Sequence, residues 1–350
     1  FTVLSNADEM LNSNLSRHLQ MITGASGGMI GAAYFREINL RKKLQTLRGD
    51  NSLFKSLLSK DLLNRLSFSA STSDLFMRYK ELTYNGKQYT QERGSEFEKE
   101  LHQNLSNYLE HPLGYYEKYE QTSTIPLMIF SPTIVNDGRR MLISAQNLSF
   151  MIGNNRNTSY ENIDFQSFFK KSNPNEIRFS SVLRASATFP MIMPMMAMPT
   201  KPEIQLMDAG IRDNYGGKVS VDYLFALNKW VLENTSGVII LEIRDTKRIM
   251  SNEKYKEVSL IDKLFLPFGN LLTNFTRTQD LDQEQLIKLC KSSFNFPVDK
   301  ITFNLREDYN ERISLSWHLT KREKQKIEAA FSSPENQIAL KKLDILTGNK

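Results

Sequence analysis

Cysteine is nearly absent from the sequence: Cys290 is the single one among 350 residues. One thiol cannot form an internal disulfide, which excludes a disulfide-stapled secreted scaffold and favours a reducing compartment. No apolar run approaches the ~18 residues that a membrane-spanning helix needs, and no signal peptide is recognisable. We therefore expect the chain to act in the cytoplasm, or on a membrane surface that faces a reducing compartment, with any membrane segments of a parent protein outside this chain.

A strong charge of one sign is also missing. The chain has 45 Lys and Arg residues against 39 Asp and Glu, and the net charge of +6 is spread along the sequence. Interspersed charges are typical of a solvated surface, which argues against nucleic acid as a partner and leaves room for modest attraction to anionic lipid. Histidine is scarce as well, since His18, His102, His111 and His318 are the only four.

The apolar pattern predicts an α/β fold, because strand-like and amphipathic helical stretches alternate along the chain. At 350 residues, the chain can bury a substantial core. The predicted strands cover residues 18–23, 125–130, 140–144, 204–208, 238–243 and 300–304. The predicted helices cover residues 1–17, a stretch from the end of the first strand to about 47, and residues 180–187, 219–232, 260–291, 321–331 and 338–346.

Residues 48–122 differ from the rest of the chain. They are polar, have leucines at amphipathic spacing and show no strong strand signal. We interpret them as a helical insertion beside the sheet. Such an insertion could form a lid over an apolar site, and ordinary peripheral helices explain the pattern equally well.

One short motif organises the sequence: residues 24–28 read Gly-Ala-Ser-Gly-Gly, directly after an apolar strand and directly before a helix of small residues. A serine on a sharp strand-to-helix turn has an exposed Oγ, and the helix N-terminus behind it favours the negative charge that develops in acyl transfer. We predict that Ser26 is a nucleophile, and that Gly24, Gly27 and Gly28 form the elbow and contribute to the oxyanion site, with Gly24 and Gly28 present because side chains there would collide.

The same glycine-rich turn could instead hold a phosphate. It contains no lysine, and no Walker-type partner lies nearby. We therefore expect neither a nucleotide nor another cofactor to bind there.

A serine hydroxyl is a weak nucleophile and needs a base. Asp208 ends a short apolar strand and begins the turn Asp-Ala-Gly, and strand ends are where sites form in open α/β sheets. Two arrangements are open at this point. Asp208 could accept the proton of Ser26 directly in a dyad, or Ser26, Asp208 and His318 could form a triad in the chain order of the α/β-hydrolases.

The segment 191–199 contains five methionines among nine residues. Methionine is flexible and polarizable, so this segment could adapt to varied apolar ligands such as acyl chains. A Met-rich core loop held by its prolines is the other interpretation, and it is slightly favoured.

Taken together, these motifs resemble the patatin-like phospholipase family. The resemblance rests on the elbow at residues 24–28, on Asp208-Ala209-Gly210 with Asn214 following, on residues 184–190 before the aspartate strand, and on a hairpin segment at 131–138. It extends over residues 1–245. The chain departs from the family pattern in having Ala209 directly after the aspartate and Gly216 where a proline often stands.

The resemblance implies a three-layer α/β sandwich with a mostly parallel central sheet, spanning residues 1–350 as one domain. It further implies a lipid acyl hydrolase of the phospholipase A or lysophospholipase type, with Ser26 as nucleophile, Asp208 as base, no metal and no cofactor. The substrate would be a phospholipid or another lipid ester at a membrane surface. A catalytically silent lipid- or protein-binding domain that retains the elbow is the alternative from another class.

The family places a glycine-rich oxyanion loop upstream of its first helix. Phe1-Thr2-Val3-Leu4 resembles the middle of a helix that follows such a loop. We expect the loop and the first strand to precede this chain, and we expect the chain by itself to be a poor enzyme.

Overall fold

A computed structural model describes residues 1–47, 49–63, 80–91, 93–152, 161–188, 193–245, 278–305 and 318–348. The helices are α1 (Thr2–Met10), α2 (Asn14–His18), α3 (Ser26–Lys43), α4 (Asn51–Leu58), α5 (Arg93–Asn104), α6 (Glu117–Gln121), α7 (Phe165–Phe168), α8 (Phe179–Ser186), α9 (Gly210–Asp213), α10 (Gly217–Ala226), α11 (Asn228–Asn234), α12 (residues 278–293), α13 (Lys321–Phe331) and α14 (Pro334–Thr347). The strands are β1 (Met21–Gly24), β2 (Lys80–Tyr84), β3 (Lys87–Gln91), β4 (Leu127–Phe130), β5 (Thr133–Ile134), β6 (Arg140–Leu142), β7 (Asn162–Asp164), β8 (Met196–Ala197), β9 (Gln205–Met207), β10 (Val238–Arg244) and β11 (Val298–Asn304).

The predicted mixture of helices and strands is confirmed, but the strands are divided among several small sheets. The pairs β1–β4 and β10–β11 are parallel and two-stranded. The largest sheet has the order β7-β6-β5-β9-β8, and β6–β7 is its one parallel pair among the described strands. An antiparallel bridge between Phe130 and Ile143 connects β4 to the end of β6. A single, mostly parallel central sheet is therefore not what these strands form.

The helix that begins at Ser26 is largely buried. Gly31, Ala32 and Ala33 are buried, so α3 can approach its neighbours β1 and α8 closely. Its polar residues are buried with partners. Arg36 forms an ion pair with Glu120 and lies over the ring of Tyr116, 4.3 Å from its centre. A helix that is enclosed in this way fixes the position of its own first turn.

The predicted insertion is not entirely helical. Within residues 48–122 the structure has α4, α5 and α6, but also the antiparallel hairpin β2–β3. Its turn is Asn85-Gly86, with φ of 46° and 71°. Asn-Gly with positive φ at both positions is the preferred two-residue hairpin turn. The local signal for this hairpin was therefore present in the sequence. Residues 64–79 of the insertion lie outside the described part of the chain.

Two of the other predicted helices are divided in the structure, and a third is only partly described. The first predicted helix divides into α1 and α2, because Asn12 and Ser13 adopt positive φ between them. The predicted helix 219–232 divides at Leu227 into α10 and α11. Of the predicted helix 260–291, residues 278–291 are helical and residues 260–277 lie outside the described part. The hairpin segment at 131–138 is confirmed as the antiparallel pair β5–β6, with Gly138 at φ 73° in its turn.

The main hydrophobic core joins α1, α3, α5, α8 and the strands around β1, and a smaller cluster lies between β10, β11 and α12. Cys290 is fully buried in that smaller cluster, which agrees with a structural thiol. Among the described residues, no helix is both long and apolar enough to cross a bilayer.

Candidate active site

Ser26 lies at the abrupt change from β1 to α3. Ala25 is extended, with φ −131° and ψ 160°, and Ser26 then takes φ +52° at the first position of the helix. A serine in this left-handed region costs about 1–2 kcal/mol, and such strain persists where the surrounding structure enforces it, typically at functional sites. Ser26 is partly accessible, and Gly27 and Gly28 beside it are exposed. The hydroxyl is therefore on the surface side of the turn.

The elbow glycines are less crowded than we expected. A side chain added at Gly28 would meet no atom within 4 Å, and one at Gly24 would contact only the flexible side chain of Met29, at 3.4 Å. The expected collision at Gly28 is therefore absent. The space above Gly28 remains open next to Ser26.

Asp208 is held by its backbone from two directions. Its N–H donates to the carbonyl of Thr188 at 3.0 Å, and the N–H of Ala209 donates to the carbonyl of Ser186 at 3.4 Å. From β5, the hydroxyl of Thr133 donates to the carbonyl of Asp208 at 3.2 Å. Thus the segment 184–190, which carried part of the sequence resemblance, anchors the aspartate turn through its described residues.

Asp208 is buried, with 3% of the residue exposed. Oδ1 accepts the backbone N–H of Gly210 at 2.7 Å. Oδ2 has no hydrogen-bond partner of ordinary geometry among the described residues. Burial raises the pKa of Asp208 from 3.8 to about 6, against the opposing effect of the hydrogen bonds from Gly210 and the Ser26 hydroxyl. Ser26 therefore lies close enough to the carboxylate for its hydroxyl to lower the pKa of Asp208.

Two close approaches bring the serine and aspartate turns together. A side chain on Gly210 would contact the Cβ of Ala25 at 3.7 Å. A side chain on Gly216 would lie 2.7 Å from the backbone nitrogen of Gly24 and 2.7 Å from Cγ2 of Thr23. Gly216 also has φ +69°, which proline cannot adopt because its ring fixes φ near −65°. Position 216 therefore excludes proline for a steric reason.

The histidines have other surroundings. His318 contacts Asp61 through Nδ1, and Nδ1 of His18 lies 2.9 Å from the carbonyl of Asn14. His111 stacks on Tyr115. Ring nitrogen Nε2 of His102 lies 3.5 Å from Arg178. The groups that act on the Asp208 carboxylate are Gly210 and Ser26, and the described contact of His318 is with Asp61.

Comparisons with known proteins do not supply a family. No family model and no curated protein matches the chain. Among solved structures, the crystal structure of VipD from Legionella pneumophila matches with a TM-score of 0.37 and 11% sequence identity, over 97% of this chain and 64% of that one. The chain thus spans 64% of the length of the protein that it matches. Similarity at this level assigns neither fold nor activity.

The methionine-rich segment belongs largely to the core. Met193, Met196 and Met198 are 1–3% exposed and part of the main hydrophobic cluster, whereas Met195 is 48% exposed. Met191, like residues 189, 190 and 192, lies outside the described part of the chain. The described methionines therefore favour the core-loop interpretation over an open acyl-binding surface.

A buried acceptor on α5 holds the helix that leads to Asp208, and sequence reasoning missed it. Glu98 accepts hydrogen bonds from the hydroxyls of Ser180 and Ser181, at 2.9–3.0 Å, and from Arg184 at 3.2 Å. All three donors lie on α8. Nothing in the local pattern around Glu98 reveals these partners, because they lie far away in sequence.

A second missed group supports the turn after Asp208 from the other side. Arg140 on β6 is buried among Asp213 at 3.6 Å, Asp222 at 3.0 Å and Glu161 at 3.7 Å. Burial raises the pKa of Asp213, against the effect of the Arg140 guanidinium and of the backbone N–H groups that it accepts. Despite these carboxylates, no group of three or more metal-ligating side chains is arranged to hold a metal ion in the described ranges.

Proposed function

We propose that this chain is a lipid acyl hydrolase of the phospholipase A or lysophospholipase type, in which Ser26 is the nucleophile and Asp208 the base. The observation that carries the proposal is the approach of the Ser26 hydroxyl to the buried Asp208 carboxylate at the junction of two turns. The second carboxylate oxygen, Oδ2, is buried without a partner of ordinary geometry in the described structure. It can therefore accept a proton.

The reaction follows from this pair. Asp208 removes the proton of the Ser26 hydroxyl while Oγ attacks the ester carbonyl and forms a tetrahedral oxyanion. The intermediate collapses, the protonated Asp208 returns the proton to the leaving alcohol oxygen, and an acyl-Ser26 ester remains. Water then attacks this ester with Asp208 again as base, which releases the carboxylic acid and restores the serine. A pKa of about 6 for Asp208 is closer to neutral pH than that of a solvated aspartate and suits a general base.

Donors for the oxyanion are available at the start of α3. The first N–H groups of a helix have no partner within the helix, and Gly27 and Gly28 are exposed directly after Ser26. The N–H of the residue after the nucleophile is a typical oxyanion donor. From the family resemblance, we also propose that a glycine-rich segment supplies further N–H donors to the oxyanion.

For the fold, we propose one patatin-like three-layer domain over residues 1–350, with residues 48–122 inserted in it. The strand-to-helix elbow, the parallel pair β1–β4 and the anchoring of Asp208 by the segment after α8 support this. For the substrate, we propose a phospholipid or another lipid ester at a membrane surface, which the net charge of +6 would help to approach when the surface is anionic.

The test combines a fluorophosphonate probe with fatty-acid release from phospholipid vesicles, using the full-length protein. We expect the wild-type protein to be labelled and to release fatty acid. Ser26→Ala should abolish both, and Asp208→Asn should reduce both by at least about a thousandfold, as the loss of a general base does at its upper range. His318→Ala should leave both unchanged.

Each result that differs from these expectations supports a different conclusion. Release that survives Ser26→Ala would overturn the proposal. A strong loss in His318→Ala would replace the dyad by the triad. A wild-type protein that binds vesicles, takes up no probe and releases no fatty acid would identify the silent binding domain instead.

A further inference from the structure

Helix α12 reaches the turn behind Asp208 with one side chain. The amide nitrogen of Gln279 donates to the carbonyls of Gly210 at 2.9 Å and Ile211 at 3.1 Å. Its amide oxygen accepts the backbone N–H of Asn214 at 2.8 Å. One side chain thus makes three hydrogen bonds to the backbone of the turn that starts at Asp208.

Two neighbouring contacts fix α12 in this position. Asp280 accepts two hydrogen bonds of 2.7 Å from Arg244 on β10. A side chain on Gly217 would lie 2.7 Å from atoms of Gln283, so α12 and α10 pack without space between them at this point. The described start of α12 is therefore a rigid support for Gln279.

We propose that Gln279 is a positioning residue, which orients the Gly210 peptide so that its N–H holds the Asp208 carboxylate toward Ser26. The proposal rests on the function proposed above. It assigns a role in the site to the last hundred residues of the chain, which contribute little to the sequence resemblance.

The backbone of Gly210 connects Gln279 to Asp208 through two groups, its N–H and its carbonyl. The N–H of Gly210 donates to Oδ1 of Asp208 at 2.7 Å, and the carbonyl of Gly210 accepts from Gln279. Removing the amide of Gln279 frees that carbonyl, and the turn can then rotate the N–H away from the carboxylate. The hydrogen bond from Gly210 lowers the pKa of Asp208, so weakening it raises that pKa.

The charged side chains around Asp208 are engaged elsewhere. On α9, Arg212 bonds Glu161 at 2.6 Å and Asp213 faces Arg140. On α8, Arg184 bonds Glu98. On α12, Asp280 bonds Arg244. From α3, the hydroxyl of Ser26 acts on the Asp208 carboxylate, whereas the hydroxyl of Thr133 on β5 donates to the Asp208 backbone carbonyl. Among the described residues, the influences on the pKa of Asp208 are burial and the hydrogen bonds from Gly210 and Ser26.

The experiment measures the rate constant of Ser26 labelling by a fluorophosphonate between pH 4.5 and 8.5, on the full-length protein. Gln279→Met keeps the size of the side chain and removes all three hydrogen bonds. Gln279→Glu keeps the shape of the side chain but places a carboxylate oxygen, which cannot donate, against the carbonyls of Gly210 and Ile211. It also adds a negative charge near the Asp208 carboxylate. Gln285→Met and Gln285→Glu are the matched controls, because Gln285 is exposed on the same helix.

We expect Gln279→Met to slow labelling at pH 7 by about tenfold, as misplacing a reacting group does, and to move the acid limb of the profile to higher pH. Gln279→Glu should move that limb further, since a nearby like charge disfavours the ionised carboxylate. The Gln285 variants should match the wild-type protein. The folded fraction of each variant is measured by circular dichroism at every pH, so that acid unfolding is not mistaken for a shifted acid limb.

The inference is overturned if both Gln279 variants keep the wild-type rate constant and acid limb. Slower labelling with an unmoved acid limb also overturns it, because that result indicates a generally loosened fold rather than a displaced carboxylate. Labelling of the wild-type and Gln285 proteins in the same series would show that the proposed function itself stands. Absence of labelling in the wild-type protein would remove the proposed function, and this inference with it.

Discussion

The two turns that meet at the candidate site differ in how tightly they are built. The serine turn has open space at Gly28 and only a flexible methionine near Gly24. The aspartate turn has no such freedom: side chains on Gly210, Gly216 or Gly217 would each lie within 2.8 Å of other atoms. Yet the Gly-x-Ser-x-Gly pattern draws attention to the serine turn. In this pair of turns the glycine motif accompanies an exposed serine, whereas an added side chain would meet its closest contacts around the aspartate.

This difference suits the proposed chemistry. The nucleophile must meet a large substrate, so open space beside Ser26 is useful. The proposed base must keep one orientation inside a buried environment. The backbone of Asp208 bonds its neighbours, and Gln279 from α12 bonds the carbonyl of Gly210 in the turn that follows. The following variants test whether the aspartate side is indeed the rigid one.

The largest loss of stability is expected from Glu98→Ala. Glu98 is the buried acceptor of three donors on α8, and breaking such a network typically costs about 3–5 kcal/mol. Chemical unfolding would measure the change. Glu96→Ala is the control, because the Glu96–Lys99 pair on the same helix is partly exposed and should be worth at most about 1 kcal/mol. Equal effects of the two variants would refute the structural role of the Glu98 cluster.

A loss of about 2–4 kcal/mol is expected from Gly216→Ala, because a positive φ and an overpacked contact with β1 both oppose the added methyl group. Gly138→Ala separates the two causes. Gly138 has φ +73° but no atom within 4 Å of an added side chain, so it should lose only about 1–2 kcal/mol. If Gly216→Ala loses no more stability than Gly138→Ala, then the tight contact between position 216 and the end of β1 is contradicted.

Asp208→Asn should destroy activity and yet stabilise the fold. The pKa of Asp208 in the folded protein is about 6, above the usual 3.8. Protonation of Asp208 therefore increases the free energy of unfolding. That stabilisation is complete below about pH 4 and is lost as the pH rises through 6. At pH 7 the ionised group therefore costs up to about 3 kcal/mol, which asparagine avoids. Denaturation of both proteins at pH 4 and pH 7 would test this, and a variant less stable than wild type at pH 7 would contradict it.

The smallest change in stability is expected from Gly28→Ala. The added methyl group meets open space, and alanine is better than glycine in a helix by about 0.5–1 kcal/mol. Stability should stay within about 1 kcal/mol of wild type, while fluorophosphonate labelling slows because the methyl group stands beside Ser26. A clear loss of stability would mean that the serine turn is as tight as the aspartate turn.

Much of the architecture could be predicted because it depends on local patterns. The apolar run before residue 24 and the small residues after residue 30 predict β1 and α3, and both are confirmed. The hairpin segment at 131–138 is also confirmed, as the antiparallel pair β5–β6. The β2–β3 hairpin was not predicted, although Asn85-Gly86 is a typical hairpin turn and the local sequence was sufficient to indicate it.

Other features could not be predicted from local patterns. The expectation of a mostly parallel central sheet was not met in the described strands, because short strands such as β5 and β9 can pair in either direction and only their neighbours decide. The supports of Asp208, namely Gln279, Glu98 and Thr133, are ordinary polar residues in the sequence. Their roles arise from contacts between segments that are far apart along the chain.

Local sequence patterns were sufficient to predict β1, α3 and the general alternation of strands and helices, with a serine on a strand-to-helix turn and an aspartate at a strand end. They did not show that these two turns meet, that His318 contacts Asp61, or that burial raises the pKa of Asp208. The two kinds of feature differ in their range along the chain. Periodicity and turn preference act over a few neighbouring residues, whereas burial, steric exclusion and the pairing of polar groups depend on which distant segments the fold brings into contact.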